Sequence, residues 1–280
     1  MKTPIDAQDE ATWPAALVES FEAGLGILRS FEEEERRVER LAERNISVRC
    51  NPPRNPHRDA RRSIIEAADR ALRSRDLLAF HCSNLHPAEI DSVMRDGLDP
   101  LDREMVARRV RARVAAGDIP EPVGTRLLAE TMAGDENRAG LLWLIFTRST
   151  LKDWSGVYRL LTYWGGEALY APHEDDPVVG AVLARMGRSA IIEVAAPVSH
   201  IECFMSVSER LLIGYLSRRD VETGHAPEFE GYVKTRIVGR RVRRVIGPDD
   251  PDFSRLTGRN PGDPNEPIFE RRRMNWKLIS

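Results

Sequence analysis

A chain of 280 residues, 41% hydrophobic and 31% charged, is large enough to bury the core of one domain with helical additions. Its net charge of −2 excludes a global attraction to nucleic acid or membrane, so such partners would need a local basic patch. Three cysteines without a Cys-x-x-Cys pair argue against a zinc site or a disulfide framework, and no apolar run has the length of a membrane span. These features predict a soluble, cytoplasmic protein with reduced thiols.

The N-terminal quarter of the chain is predicted to be helical. Residues 1–50 begin with a polar stretch, residues 1–11, that is expected to fray, and continue in one long helix from about Thr12 to Asn45. Apolar residues keep roughly one face of this helix, which would pack on the domain, pair with a second chain or hold a partner. Residues 51–76 predict a proline-rich linker followed by a second helix, because three prolines in close succession exclude a helix there.

Residues 77–247 alternate apolar runs of strand length with helical stretches, without a regular βαβ period, which favours an α+β fold. The predicted strands are Leu77–Phe80, Leu141–Phe146, Ser189–Ala196, Phe229–Val238 and Val242–Ile246. The continuous apolar run Leu141–Phe146 predicts a strand buried on both faces. A helical insertion is expected at about residues 101–140, and residues 248–280, rich in proline, predict an irregular tail.

The stretch Phe80–Leu98 places polar side chains where the first of these strands ends. His81 and Ser83 follow the apolar run, and Pro87 begins a short helix because its missing N–H would have no partner there. Gly97 is typical of the residue that follows a helix. We therefore expect a histidine and a hydroxyl group at a strand end, held in place by a capped helix.

Together with the acids at a late strand, this stretch resembles the ADP-ribosyltransferase superfamily. In that family an H-x-[ST] motif opens the first core strand, and a catalytic glutamate precedes a late apolar strand in the pattern E-x-x-V-x-x-x-[IV]. His81 and Ser83 fit the first motif. Glu230, Val233 and Ile237 fit the second. The pattern is most similar to the DarT-type toxins, which modify bases in DNA.

The resemblance implies an ADP-ribosyltransferase-like split β-sandwich with surrounding helices, NAD as substrate and no metal. The enzyme would transfer ADP-ribose to a nucleic-acid base or a protein side chain, as a bacterial toxin or phage-defence effector. Glu230 is implied as the catalytic residue, with Glu228 as the alternative, while His81 would bind a ribose hydroxyl and Ser83 the nicotinamide amide. A catalytically silent binding protein of the same fold is the alternative, and a third is a nucleic-acid enzyme that uses His81 with Glu167 or Glu230 as acid and base.

Further side chains are candidates for the rest of the NAD molecule. Aromatic rings are expected to stack on nicotinamide, and arginine binds pyrophosphate bidentately. The aromatic candidates are Tyr158, Tyr163, Trp164 and Tyr170, with core packing as the alternative for each. The arginine candidates are Arg148 and Arg159. The segment Tyr163–Glu167, with its double glycine, fits no motif of the family.

A basic stretch follows the predicted catalytic glutamate. It holds six basic residues in eleven, without an acid, and these are Lys234, Arg236, Arg240, Arg241, Arg243 and Arg244. As a basic rim they would bind the phosphates of DNA or RNA. The alternative is solvated charge at a strand edge, which discourages aggregation.

Overall fold

The computed structural model describes residues 3–153 and 156–259. The helices are α1 (Ala15–Arg44), α2 (Ile46–Cys50), α3 (Arg58–Leu72), α4 (Pro87–Asp96), α5 (Arg103–Ala115), α6 (Glu121–Glu130), α7 (Gly156–Thr162), α8 (Glu167–Tyr170), α9 (Val179–Arg185), α10 (Val207–Ser217) and α11 (Pro251–Thr257). The strands are β1 (Asp76–Leu85), β2 (Gly97–Leu98), β3 (Leu142–Ile145), β4 (Arg188–Pro197), β5 (Glu230–Val233), β6 (Ile237–Val238) and β7 (Val242–Ile246). The predicted α+β class is confirmed. No helix among the described residues combines the length and the apolar character that a membrane span requires.

Five strands form one antiparallel sheet in the order β5-β3-β1-β4-β7, with β1 at its centre. β1 pairs with β4 over ten residues but with β3 only at Phe80↔Ile145. Beyond Phe80, no other described strand pairs with this edge of β1. The next partner along the edge is Trp164, which forms an isolated bridge with Asn84. On its other side β3 pairs with β5, ending at Ile145↔Glu230. β1 and β5 therefore flank the same strand, and the edge of β1 just beyond Phe80 is not paired with a described strand.

The long helix α1 packs on this sheet. Leu17, Phe21 and Leu28 are at most 1% exposed and belong to one apolar cluster with alternate residues of β1, β3 and β4 and with α3 and α10. Burial of such side chains contributes roughly 1.5–3 kcal/mol each. The apolar face of α1 therefore packs on the domain, which is one of the three roles predicted for this helix.

The other face of the sheet and the insertion have their own clusters. Phe80, Cys82 and Ile145 pack with residues of α7 and α11. Helices α5, α6, α8 and α9 surround the fully buried side chain of Trp164. The predicted insertion, with α5 and α6, thus forms one helical layer together with α8 and α9 beside the end of β1.

Both chain ends of the described region are ordered where the sequence predicted irregular structure. Ile5 is fully buried, donates to the carbonyl of Asp76 at 2.8 Å and accepts from the N–H of Leu78 at 2.7 Å. The prediction that residues 1–11 fray is therefore wrong for the described residues 3–11, because the apolar side chain of Ile5 is part of the core.

The tail prediction is wrong for Pro251–Thr257, which forms α11. Asp250 caps this helix by accepting from the N–H of Asp252, and Phe253 is fully buried. Proline at the first helical position favours a helix rather than preventing it. Residues 260–280 of the predicted tail lie outside the described residues.

Two strand predictions also need correction. The predicted strand Phe229–Val238 is two strands, because β6 leaves the large sheet and pairs with β2. β3 is not buried on both faces, because Trp143 remains 49% exposed. Both departures concern the region around Glu230.

Helix α10, which carries Arg210, begins with a capping box. Glu209 N–H donates to Ser206 Oγ at 3.3 Å, and Ser206 N–H donates to the Glu209 carboxylate at 3.2 Å. We expect Ser206→Ala to lower the free energy of unfolding by about 1 kcal/mol, measured by denaturant titration. Ser254→Ala, at an exposed position inside α11, is the control and should change it by less than about 0.5 kcal/mol. Equal effects of the two substitutions would contradict the role of the cap.

Candidate active site

A cavity of about 580 Å³ opens where β3 ends and β5 begins. Its lining residues are Ser149, Thr150, Lys152, Asp153, Phe204, Arg210, Glu228 and Glu230. A second cavity of about 210 Å³ adjoins it and shares Ser149 and Arg210. Both acids that the sequence proposed as catalytic, Glu228 and Glu230, thus line the same cavity.

Glu230 is the first residue of β5 and has an unusual electrostatic environment. Loss of solvation raises the pKa of its carboxyl group, Asp153 raises it further, and Arg210 opposes the change. A carboxyl group with a raised pKa is a stronger base once ionised. Glu230 nevertheless remains exposed on the cavity side, so a ligand can reach it.

The register of the sheet decides which part of β1 faces Glu230. Phe80 and Glu230 both lie opposite Ile145, so their side chains share one face of the sheet. Cys82, two residues along β1, shares that face as well. Burial, and to a smaller extent the charge of Glu230, raises the pKa of the Cys82 thiol to about 12. Of the H-x-S motif, the middle residue is therefore the one on the side of the glutamate.

The predicted strand end at Phe80 is wrong, because β1 continues to Leu85 and pairs with β4 throughout. His81 and Ser83 therefore lie within β1, and His81 is at its β3-side edge. Its Nδ1 is 3.0 Å from the carbonyl oxygen of Trp143 on β3, so Nδ1 donates and Nε2 is left as an acceptor. Burial lowers the pKa of His81, Arg109 lowers it further, and the Trp143 carbonyl opposes the change. Alternation along β1 directs His81 and Ser83 to the face opposite that of Glu230, and Ser83 is only 6% exposed. His81 and Glu230 thus lie on the two strands that flank β3. Glu230 lines the large cavity and His81 does not.

The helix after this strand end is capped, as the sequence predicted, and tied to the helical insertion. Glu89 accepts from His86 N–H at 2.9 Å, from Arg109 Nε at 2.7 Å and from Trp164 Nε1 at 2.8 Å. The bonds to Arg109 lower the pKa of Glu89 although burial raises it. One partly buried carboxylate therefore joins the start of α4, helix α5 and the Tyr163–Glu167 segment beside the end of β1.

The double glycine of the Tyr163–Glu167 segment has a structural reason. Gly165 and Gly166 have φ values of +93° and +81°, a region that side chains other than hydrogen rarely adopt. A Cβ atom on Gly165 would also lie 2.3 Å from Leu169. The turn lets Trp164 enter the core of the insertion.

The remaining NAD-binding candidates have other contacts. Tyr158 and Tyr170 are 7% and 2% exposed, and the ring of Tyr163 packs on that of Tyr170 at 5.4 Å. Arg148 forms an ion pair with Asp6 of the N-terminal segment. Arg159 forms one with Glu174, which precedes α9. All five side chains lie outside the lining of the large cavity.

The basic stretch after β5 is largely neutralised. Five of its six side chains form ion pairs with acids, in the pairs Lys234–Glu202, Arg236–Asp99, Arg241–Asp76, Arg243–Glu193 and Arg244–Glu193. A nucleic acid bound there would have to displace these carboxylates.

Sequence reasoning missed the cavity residues contributed by loops and by α10. Lys152 and Arg210 are cationic, and the ion pairs among the described residues include neither. Phe204 is 93% exposed. A capped helix start at Ser206 is readable from the sequence, but no local pattern shows that the next turn lies beside Glu230. Within the described ranges, His, Cys, Asp and Glu form no group suited to hold a metal ion.

No protein-family model matches the chain, and no curated protein or solved structure matches it significantly.

Proposed function

We propose that this protein is an NAD-dependent ADP-ribosyltransferase with an ADP-ribosyltransferase-like fold. The observation that carries the proposal is the placement of the two sequence motifs on strands that flank β3, with a cavity at Glu230 and a strand edge beside His81 that pairs with no described strand. The resemblance adds NAD as the substrate and the role of a toxin or phage-defence effector. The acceptor is a nucleic-acid base or a protein side chain.

The edge of β1 beyond Phe80 suits the nicotinamide amide. Alternate residues of a strand direct their N–H and C=O groups to the same edge, so the stretch between Phe80 and Asn84 offers at least one such pair. A carboxamide can donate to the C=O and accept from the N–H, and Ser83 adds a hydroxyl. The Nε2 atom of His81 would accept from a ribose hydroxyl. NAD would then reach from the edge of β1 to the cavity at Glu230, with its ribose next to that carboxylate.

Glu230 would act on the bond between nicotinamide and ribose. This bond breaks with its electron pair leaving on nicotinamide, and the ribose gains the positive charge of an oxocarbenium ion. A carboxylate beside the ribose stabilises a charge that exists only in the transition state. The acceptor atom then bonds to the ribose carbon and gives up its proton to Glu230, which passes it to water.

The raised pKa of Glu230 predicts how activity depends on pH. Activity requires the ionised carboxylate, so it falls as the pH drops through a pKa above the ordinary glutamate value of 4.5. Nicotinamide release, measured between about pH 4 and 8 with circular dichroism as a check on folding, should show this acidic limb. A midpoint at or below the ordinary value would contradict the proposed environment.

The direct test uses NAD labelled in the nicotinamide or in the adenine, incubated with the protein and cell extract. We expect release of the first label and covalent transfer of the second. A protein that binds no NAD and releases no nicotinamide would overturn the proposal.

The alternative of a catalytically silent binding protein has one observation in its favour. The side chains of His81 and Glu230 lie on alternate faces of the sheet, which an NAD molecule must bridge. Binding of NAD without release of nicotinamide would favour this alternative.

A further inference from the structure

The second cavity, of about 210 Å³, lies between the N-terminal segment, the end of β3 and helix α10, and the proposed function gives it no role. Its polar lining residues are Gln8, Thr147, Ser149, Arg210, Ser217 and Arg218. Pockets for drug-sized ligands are larger, roughly 300–1,000 Å³, so this one has room for a small ion or for one end of a larger molecule.

The polar groups of this lining are suited to donate hydrogen bonds. Gln8 Oε1 accepts from the N–H of Arg148 at 2.6 Å, so the NH₂ group of the same amide is left as a donor. Ser149 and Ser217 are exposed and each adds a hydroxyl group. Among the described residues, no carboxylate lines this cavity, whereas the larger cavity has three. A lining of this kind favours an anion.

One face of helix α10 forms the cationic side of the cavity. Arg210, Gly214, Ser217 and Arg218 follow at helical spacing and therefore lie on the same side of the helix. A Cβ atom on Gly214 would lie 3.3 Å from Nη1 of Arg218, and no other atom outside the local helix backbone would be within 4 Å. The guanidinium group of Arg218 thus lies over Gly214, about one helical turn from Arg210. Glycine is unfavourable inside a helix, so helix formation does not explain the residue that leaves this space open.

Positive charge is in excess on this face of α10. Arg210 belongs to no ion pair among the described residues, and its guanidinium group lies 5.7 Å from the centre of the Phe229 ring. Arg218 pairs with Glu10 at 2.8 Å, but Glu10 also pairs with Arg219 at 2.9 Å. In these contacts three guanidinium groups meet one carboxylate.

The second cavity lies away from the path proposed for NAD. NAD would reach Glu230 from the edge of β1, and no described residue of β1 lines the second cavity. The two cavities share only Ser149 and Arg210. A ligand of the second cavity is therefore expected to be a separate molecule.

We infer that the second cavity is a binding site for a small tetrahedral anion, phosphate, either free or as the terminal group of a larger molecule. Arginine binds phosphate oxygens bidentately, and the serine hydroxyls and the Gln8 amide can donate to the others. These donors come from three different elements and so surround a ligand, as a tetrahedral ion requires. The inference goes beyond the proposed function, because binding of this anion needs neither NAD nor Glu230.

The test is isothermal titration calorimetry of the full chain with sodium phosphate, without NAD and at an ionic strength held constant with sodium chloride. Wild type should bind phosphate. Arg210→Gln should bind it about ten- to a hundredfold more weakly, because a charge-assisted contact is lost. Arg40→Gln is the matched control and should bind as wild type does, since Arg40 is an exposed arginine of α1 outside the lining.

A second variant tests the cavity without removing a charge. Gly214→Leu places a side chain in the open space, and leucine favours a helix, so binding should weaken while the melting temperature is not lowered. Melting temperatures of all variants show whether each is folded.

Two further titrations identify the source of the phosphate group. Glycerol 3-phosphate should bind more tightly than phosphate if the ligand is a phosphate monoester, and more weakly if it is the free ion. Saturating NAD should leave the affinity for phosphate unchanged. Equal affinity of wild type and Arg210→Gln, no binding of phosphate above the chloride background, or displacement of phosphate by NAD would overturn the separate anion site. None of these results depends on nicotinamide release, so the proposed function is tested separately.

Discussion

Glu230→Gln is expected to reduce nicotinamide release by about 10²- to 10³-fold, the usual cost of removing one group that stabilises transition-state charge. Glutamine has nearly the shape of glutamate and keeps a hydrogen-bonding oxygen, so the variant isolates the negative charge. The charge matters only when the ribose becomes cationic, so kcat should fall while the affinity for NAD changes little. Initial-rate kinetics of release, with NAD binding measured separately, distinguish the two effects.

Two further variants make this result specific. Glu222→Gln is the matched control, because Glu222 is exposed and its carboxylate pairs with Arg36 at 3.7 Å, away from the cavity lining. It should leave release within about threefold of wild type. Glu228→Gln tests the second cavity acid. A large loss in Glu228→Gln with a small one in Glu230→Gln would transfer the catalytic role to Glu228, and small losses in both would contradict the enzyme proposal.

His81→Ala is expected to lower kcat/KM for NAD by about a hundredfold, because a ligand displaced by about 1 Å from its reactive position loses that much rate. The imidazole is oriented by its bond to the Trp143 carbonyl at 3.0 Å, which leaves Nε2 as an acceptor. Its lowered pKa keeps this acceptor unprotonated at neutral pH.

Substitutions at the same position separate an NAD contact from a structural role. Asparagine can keep the bond to Trp143 but is too short to replace Nε2, whereas glutamine can place an oxygen near the Nε2 position. Activity should therefore decrease from wild type to His81→Gln, and further to His81→Asn and His81→Ala. Full activity in His81→Asn would show that the bond to the strand is all that His81 provides. His200→Ala, at an exposed histidine bonded to Thr235, is the control.

Local patterns were sufficient where the physics is local. The apolar spacing that predicted a long helix up to Asn45 corresponds to α1, although α1 begins after Pro14 without a side-chain cap rather than at Thr12. The helix predicted after Pro87 is α4 with its capping box. Apolar runs of strand length located β1, β3, β4 and β7. Each of these signals depends on residues a few positions apart, so the α+β class follows without tertiary information.

Ion pairs between distant residues were beyond these patterns. The sequence predicts Arg148 and Arg159 as pyrophosphate ligands, because an arginine is charged whatever its surroundings. Their carboxylate partners, Asp6 and Glu174, are brought to them by the packing of the N-terminal segment and of the helical insertion. The basic stretch after β5 was neutralised in the same way.

By itself the sequence determined the fold class and most of the elements, and it showed that the chain contains both an H-x-S motif and a late glutamate. Only the tertiary structure decided that Glu230 shares a face with Cys82 rather than with His81, since strand register depends on pairing between residues far apart in the chain. It also decided that Phe204 and Arg210 lie beside Glu230, because a bridge at Glu202 and the start of α10 bring them there. Side-chain chemistry is a local property, whereas the convergence of side chains in one cavity is set by how the whole sheet is assembled.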